Sequence, residues 1–136
     1  MAEGTEWVIP WLIERVERWH PVAVAVQGNG APASSLLDGL KSELPDDLTV
    51  AMGGADMARA CGLTFDSVAG DQLRHRAQEP LNTQVLAAQA RPLSDAWVID
   101  RKKSTIDVAG LVAVTQALWA LATRTEQPAD PGIYVL

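Results

Sequence analysis

The 136-residue sequence predicts a mixed α/β domain, because short apolar runs rich in β-branched residues alternate with longer amphipathic segments. Val22–Val26 is the plainest strand. It is apolar throughout, which indicates burial on both faces, as in a parallel or mixed sheet flanked by helices. Asp107–Thr123 is the plainest helix, since its apolar side chains recur at helical spacing. No repeat or internal linker interrupts the pattern, so we expect one domain over residues 1–136.

The first predicted helix begins at Thr5, a residue type that caps helices, and ends at His20, just before Pro21. Pro10 is expected in its first turn, where a missing N–H costs least. Its apolar side chains share helical spacing and predict one apolar stripe: Trp7, Trp11, Leu12, Val16 and Trp19.

Helices and strands continue to alternate after Val26. Gln27–Pro32 is rich in glycine and predicts a turn. We then expect a helix over residues 33–44 stopped by Pro45, a strand over residues 48–52, and a helix over residues 55–69. The inward side chains predicted for the third helix are Met57, Ala58, Cys61, Phe65 and Val68.

The second half predicts fewer strong elements. Gln72–His75 could form a short strand, and Pro80 opens a helix that ends near Ala90. Ala96–Ile99 is an apolar strand, and Arg101–Thr105 is a polar loop before the last helix. We expect an irregular tail over about residues 124–136.

Composition limits the class of protein. Hydrophobic residues make up 48% of the chain and charged residues 21%, which suits a globular domain with a core. The single cysteine, Cys61, excludes a disulfide framework and a cysteine-rich zinc site. No apolar run is long enough to span a membrane and no secretory signal opens the chain, so we expect a cytoplasmic protein.

Two motifs have a functional and a structural interpretation. Gly28–Ala33 fits a dinucleotide-binding fingerprint, but no acidic residue closes the second strand, so a simple turn is favoured. Asp95 and Asp100 flank a strand and Asp107 begins the last helix. Carboxylates there could bind Mg²⁺, whereas turn and helix-cap roles are the structural alternative, which we favour on the residues alone.

Charge is unevenly distributed. The net charge of −6 argues against a protein whose whole surface coats nucleic acid. Residues 74–103, however, include six basic residues and only three acidic ones. The basic residues are Arg74, Arg76, Arg91, Arg101, Lys102 and Lys103, and the acidic residues are Glu79, Asp95 and Asp100. This segment is either a solvated face, which composition alone favours, or a contact for phosphate.

Several segments, in order, resemble the C-terminal nuclease region of tailed-phage terminase large subunits, most closely those of actinobacterial phages and prophages. Pro92–Arg101 and Ser104–Ala113 carry most of the resemblance, and Asp56–Gly62 and Leu73–Arg76 fit the same pattern. The resemblance extends from about residue 4 to residue 123.

The resemblance implies a truncated ribonuclease-H-like fold and metal-dependent cleavage of viral DNA during packaging, with Mg²⁺ or Mn²⁺ ions held by carboxylates. Asp107 matches the family's third metal-binding and catalytic carboxylate, and Asp95 is a supporting catalytic acid by position. Gln27 occupies the position of the second metal ligand, where the family has an aspartate. The family's first aspartate precedes the region that matches, and we expect it to be missing here. A neutral amide holds a hard dication poorly.

The resemblance also implies double-stranded DNA as a partner, with contacts from Arg74, Arg76, Arg101, Lys102 and Lys103. We expect weak or no cleavage by this isolated chain, and a location in the host cytoplasm if it derives from a phage. The alternative is a non-catalytic assembly module without membrane contact. It pairs with itself or with other packaging proteins through an exposed sheet edge and through exposed tryptophans, for which Trp7 or Trp11 is expected at the surface.

Overall fold

A computed structural model describes residues 4–28 and 32–125 and places them in two compact units. Unit 1 comprises the described residues up to Met52 and from Ala120 onward, and unit 2 comprises Gly53–Trp119. The described helices are α1 (Val8–Trp19), α2 (Leu37–Glu43), α3 (Gly54–Ala69), α4 (Glu79–Ala87) and α5 (Ala109–Thr125). The described strands are β1 (Val24–Gln27), β2 (Thr49–Met52), β3 (Ala90–Leu93) and β4 (Ala96–Ile99).

Unit 1 is built around a parallel pair of strands, β1 and β2, in register from Val24 opposite Thr49 to Gln27 opposite Met52. A 3-10 turn at Pro32–Leu36 leads into α2, so part of the predicted second helix is 3-10. The core consists of the buried side chains of Val26, Leu40 and Leu44. One side of α1 packs against this core. The α1 side chains involved are Ile9, Leu12, Ile13 and Val16.

Helix α1 differs from its prediction in two ways. It begins at Val8 rather than being capped by Thr5, and its N-cap residue, Trp7, makes no side-chain capping bond. Its end at His20 is confirmed, with a left-handed backbone (φ 47°). Leu12 and Val16 pack inward, but the three tryptophans that share their predicted stripe are exposed; the assembly alternative expected this of Trp7 or Trp11. The helix therefore has two apolar faces, because the tryptophans are rotated away from the residues that reach the core.

Unit 2 contains an antiparallel hairpin of β3 and β4 that packs against α3. The predicted bounds of β4 are confirmed, whereas β3 was not predicted. Met57 and Cys61 of α3 are buried as expected. Phe65 and Val68 were predicted to face inward, which is wrong: they are 63% and 62% exposed.

Of the remaining predicted elements, some are confirmed and others are wrong. Gln72–His75 is not a strand, and α4 ends at Ala87, because Ala90 already belongs to β3. Helix α5 buries Val108, just before its start, together with Val112 and Thr115, as the stripe predicted. It continues to Thr125, past the expected start of the tail. The rest of the tail, residues 126–136, lies outside the described residues.

The mixed α/β class is confirmed. The strands, however, form a parallel pair and an antiparallel pair rather than one mixed sheet within the described residues. The ribonuclease-H-like arrangement and the single domain over residues 1–136 stay predictions. In the described ranges, no helix is both long enough and apolar enough to cross a membrane.

Candidate nucleic-acid interface

A short loop directly after β4 in unit 2 folds around one buried carboxylate. We call residues 100–104 the basic loop. Asp100 is only 6% exposed, and its Oδ1 accepts the backbone N–H groups of Lys102 and Lys103, both at 3.0 Å. Ser104 donates its N–H and its hydroxyl to the Asp100 carbonyl oxygen, at 3.1 and 2.6 Å. The loop is thereby closed on itself.

The same loop is tied to the start of the hairpin. The Asp100 N–H donates to the carbonyl oxygen of Gln89 at 2.7 Å, and the Gln89 N–H donates to the Ser104 hydroxyl at 3.0 Å. The Ser104 hydroxyl is thus a donor and an acceptor at once. These bonds fix the backbone of the basic loop against the segment that leads into β3.

The electrostatics keep Asp100 ionised. The N–H of Lys103 is the main cause that holds the pKa of the Asp100 carboxyl below its usual value, and it outweighs the opposing effect of burial. The N–H of Lys102 and the positive charges of Lys103 and Arg91 lower the pKa further. A carboxylate in this position accepts N–H bonds that a protonated acid would accept less well.

Exposed cationic residues lie on the basic loop and beside it. Arg101, Lys102 and Lys103 are exposed, and Arg91 on β3 is exposed and close enough to act on Asp100. The sequence predicted the first three as DNA contacts. It placed Arg91 in the basic segment but did not mark it as a site residue, because only the hairpin register brings it to this end of β4.

Arg74 and Arg76, the other two predicted DNA contacts, lie on the segment between α3 and α4. Both are exposed, and Arg74 pairs with Asp71 at 3.4 Å on the surface. Such exposed pairs contribute little to stability. Their contact with DNA stays a prediction.

The predicted acids occupy separate positions within unit 2. The Asp107 Oδ1 accepts the Ala109 N–H at 2.9 Å, so this side chain caps the first turn of α5. Asp95 lies exposed in the turn between β3 and β4, beside Ser94 with φ 52°. It is therefore at the opposite end of β4 from Asp100. Both acids have the local roles that the structural alternative predicted.

The predicted metal ligands lie in different units, Gln27 in unit 1 and Asp107 in unit 2. Over residues 4–28 and 32–125, no group of three or more His, Cys, Asp or Glu side chains is arranged to hold a metal ion. The pair Asp107 and Gln27 stays a prediction as a metal site.

The glycine-rich turn is only partly described. The Gly28 N–H donates to the Met52 carbonyl oxygen at 2.9 Å and so extends the pairing of β1 with β2. Gly30, the second glycine of the fingerprint, lies outside the described residues. No protein-family model, curated protein or solved structure matches this chain.

Proposed function

We propose that this chain is the DNA-binding part of a terminase-type nuclease domain, which in that family cleaves viral DNA during packaging with Mg²⁺ or Mn²⁺. The basic loop of unit 2 holds the phosphates of double-stranded DNA. The observation that carries this proposal is the placement of exposed Arg101, Lys102 and Lys103 on a loop that the buried, ionised Asp100 organises, with Arg91 close enough to act on the same carboxylate.

The geometry of the loop favours phosphate binding for an entropic reason. Its backbone is already fixed by hydrogen bonds from Lys102, Lys103 and Ser104, so binding need not order it. Exposed lysines and arginines that neutralise phosphates release condensed counterions, which drives association at low salt. Phosphate contacts carry no base information, so we expect binding to be independent of sequence.

The binding proposal is tested with a double variant, Lys102→Ala and Lys103→Ala, and a fluorescent DNA duplex. We expect weaker binding, and a plot of log affinity against log salt that is less steep by about 1 for each phosphate that the variant no longer neutralises. The matched control is Lys41→Ala with Arg59→Ala, two exposed cations on α2 and α3. Equal losses of affinity in both double variants would contradict a specific role for the basic loop.

We infer that cleavage by the isolated chain is weak or absent, because by the resemblance Gln27 replaces a carboxylate that would offset the charge of a dication. Calorimetry with Mn²⁺ on the native chain and on Asp107→Asn tests whether Asp107 binds metal at all. Plasmid nicking in Mn²⁺ tests the activity. Strong nicking by the native chain would contradict the inference, whereas nicking gained by Gln27→Asp would support the ligand position.

A second candidate function, assembly through an exposed sheet edge, is favoured by the parallel pair in unit 1. Val24 and Gly28 donate their N–H groups toward β2, so the intervening Ala25 directs its N–H to the other edge of β1. Two-stranded sheets are marginal alone, and an open edge accepts another strand. Hydrogen exchange at Ala25 tests this: we expect protection only when a partner strand is bound, and fast exchange in every mixture with packaging proteins would contradict it.

A further inference from the structure

We propose that the outer face of α1 pairs with the same face of a second copy of this chain, with the two helices antiparallel. We call Trp7, Trp11, Arg15 and Trp19 the tryptophan face. These residues follow each other at intervals of four, which places them along one side of a helix.

The tryptophan face is a continuous, ordered stack. The rings of Trp7 and Trp11 meet edge to face, with centroids 6.4 Å apart and an interplanar angle of 83°. The Arg15 guanidinium carbon lies 4.8 Å from the centroid of Trp11 and 5.4 Å from that of Trp19. The indole N–H of Trp7 donates to the Gly4 carbonyl oxygen at 3.0 Å. The side chains are thus positioned before any partner arrives.

The tryptophan face stays accessible among the described residues, although the other side of α1 is packed on the core. Trp7, Trp11 and Trp19 are 44%, 42% and 63% exposed. Large aromatic side chains with arginine are the residues that interfaces concentrate at their centres. A row of such residues along one helix therefore indicates a surface for a partner protein.

The charges on the face indicate that the partner is a second copy. Glu14 pairs with Arg15 at 2.9 Å, and Arg18 follows one turn after Glu14. An antiparallel pair centred near Arg15 brings the Glu14 of each copy toward the Arg18 of the other. It also brings Trp11 of each copy toward Trp19 of the other. The surface is therefore complementary to itself under a two-fold axis.

Arg15, which would meet its own copy at the two-fold axis, does not oppose the antiparallel arrangement. Arg15 exposes only 24% of its side chain, lies over two indole rings and is neutralised by Glu14. A parallel pair, in contrast, would place the same charges side by side, which is unfavourable.

Nucleic acid fits this face poorly. Glu6, Glu14 and Glu17 outnumber Arg15 and Arg18 on and around α1, so phosphates would be repelled. The exposed parts of the three indoles amount to about 370 Å² per copy at roughly 250 Å² for each whole side chain. A pair would bury an apolar area on the order of 700 Å², which belongs to weak, concentration-dependent interfaces.

Sedimentation equilibrium over micromolar to millimolar concentrations tests the proposal with charge variants. Positions 14 and 18 flank the tryptophan face on one side. Glu14→Arg makes both of them arginine, and Arg18→Glu makes both of them glutamate. We expect each variant to dimerise about tenfold more weakly than the native chain, because like charges meet across the axis. An equimolar mixture of the two should associate again, since opposite charges then meet. Arg59→Glu on α3 is the matched control and should not change dimerisation.

Three results would overturn the proposal. The first is a native chain that stays monomeric over the whole concentration range, including the case in which another segment of the chain covers the face. The second is a mixture that associates no better than either charge variant alone. The third is a dimer that persists unchanged in Trp19→Gln, an exposed substitution whose fold is checked by circular dichroism.

Discussion

The two units differ in charge, and the difference explains why the net charge misleads about DNA. Unit 2 holds seven of the eleven Lys and Arg residues and seven of the seventeen Asp and Glu residues. The described residues of unit 1 hold the other four basic residues and seven acidic ones, so unit 1 is net acidic whereas unit 2 is neutral. A neutral unit with clustered cations can bind phosphate inside an acidic chain, because screening confines each surface charge to its surroundings.

The two units also differ in the interactions that stabilise each of them. The core of unit 1 is apolar and centres on Val26, Leu40 and Leu44. The polar residues that are buried among the described residues, Ser67, Asp100 and Thr115, all belong to unit 2. Unit 1 therefore depends mainly on packing, whereas the candidate interface of unit 2 depends on hydrogen bonds. Matched substitutions in the two units test that contrast.

The largest effect is expected in the core of unit 1. Leu40 is 1% exposed, so Leu40→Ala removes buried methyl groups and leaves a cavity. We expect the free energy of unfolding to fall by about 3 kcal/mol, measured by urea denaturation. The control Leu86→Ala removes the same atoms from a side chain that is 88% exposed, and should cost less than about 0.5 kcal/mol. Similar losses for both would refute a core centred on Leu40.

A smaller loss of stability is expected when the carboxylate of the basic loop is changed. Asp100→Asn keeps the shape but removes the charge that attracts the N–H groups of Lys102 and Lys103. We expect a lower midpoint of thermal unfolding and weaker DNA binding. Asp95→Asn in the exposed turn should change neither property. If the two variants behaved alike, Asp100 would not organise the loop.

This contribution of Asp100 depends on pH. Its pKa is lowered in the folded chain by the N–H of Lys103 above all, so the stabilisation is complete above the pKa of the unfolded chain. It is lost as the pH falls through the lower pKa of the folded chain. We therefore expect the difference in thermal midpoint between the native chain and Asp100→Asn to be constant near neutrality and to shrink in acid. A difference that grows in acid would contradict the ionised carboxylate.

The smallest effects are expected from two threonines, with opposite signs. The hydroxyl of Thr49 in unit 1 is buried and has no hydrogen-bond partner among the described residues, so Thr49→Val should stabilise the chain by up to about 1 kcal/mol. In unit 2 the Thr115 hydroxyl donates to the Leu111 carbonyl oxygen at 2.9 Å, and Thr115→Val should destabilise by about 1 kcal/mol. Urea denaturation measures both, and shifts of the same sign would contradict the contrast.

The sequence predicts the fold where one local pattern decides the structure. The strand Ala96–Ile99 is apolar throughout, and its bounds are confirmed. Strand β3 was not predicted, since Arg91-Pro92 lacks strand character and pairs only because the turn at Ser94 folds it onto β4. A local pattern does not report such a neighbour.

Hydrophobic periodicity predicts that a segment is helical, but it does not predict which of the apolar side chains another element covers. Phe65 and Val68 share the spacing of Met57 and Cys61, yet they are exposed. The ring of Phe65 meets that of Trp97 on β4 edge to face, with centroids 6.3 Å apart, and this contact leaves most of Phe65 uncovered. The tryptophans of α1 illustrate the same limit. The sequence marked the cations of the basic loop, but the folded role of Asp100 arises from hydrogen bonds that no spacing rule predicts.

The most direct test of the central claim, that the basic loop of unit 2 binds DNA phosphates, is an NMR titration of the native chain with a short duplex at low salt. We predict that backbone amide signals of residues 89–104 shift progressively, that added salt reverses the shifts, and that signals of α1 and α2 stay in place. Shifts confined to unit 1, or no shift in residues 89–104, would contradict the account.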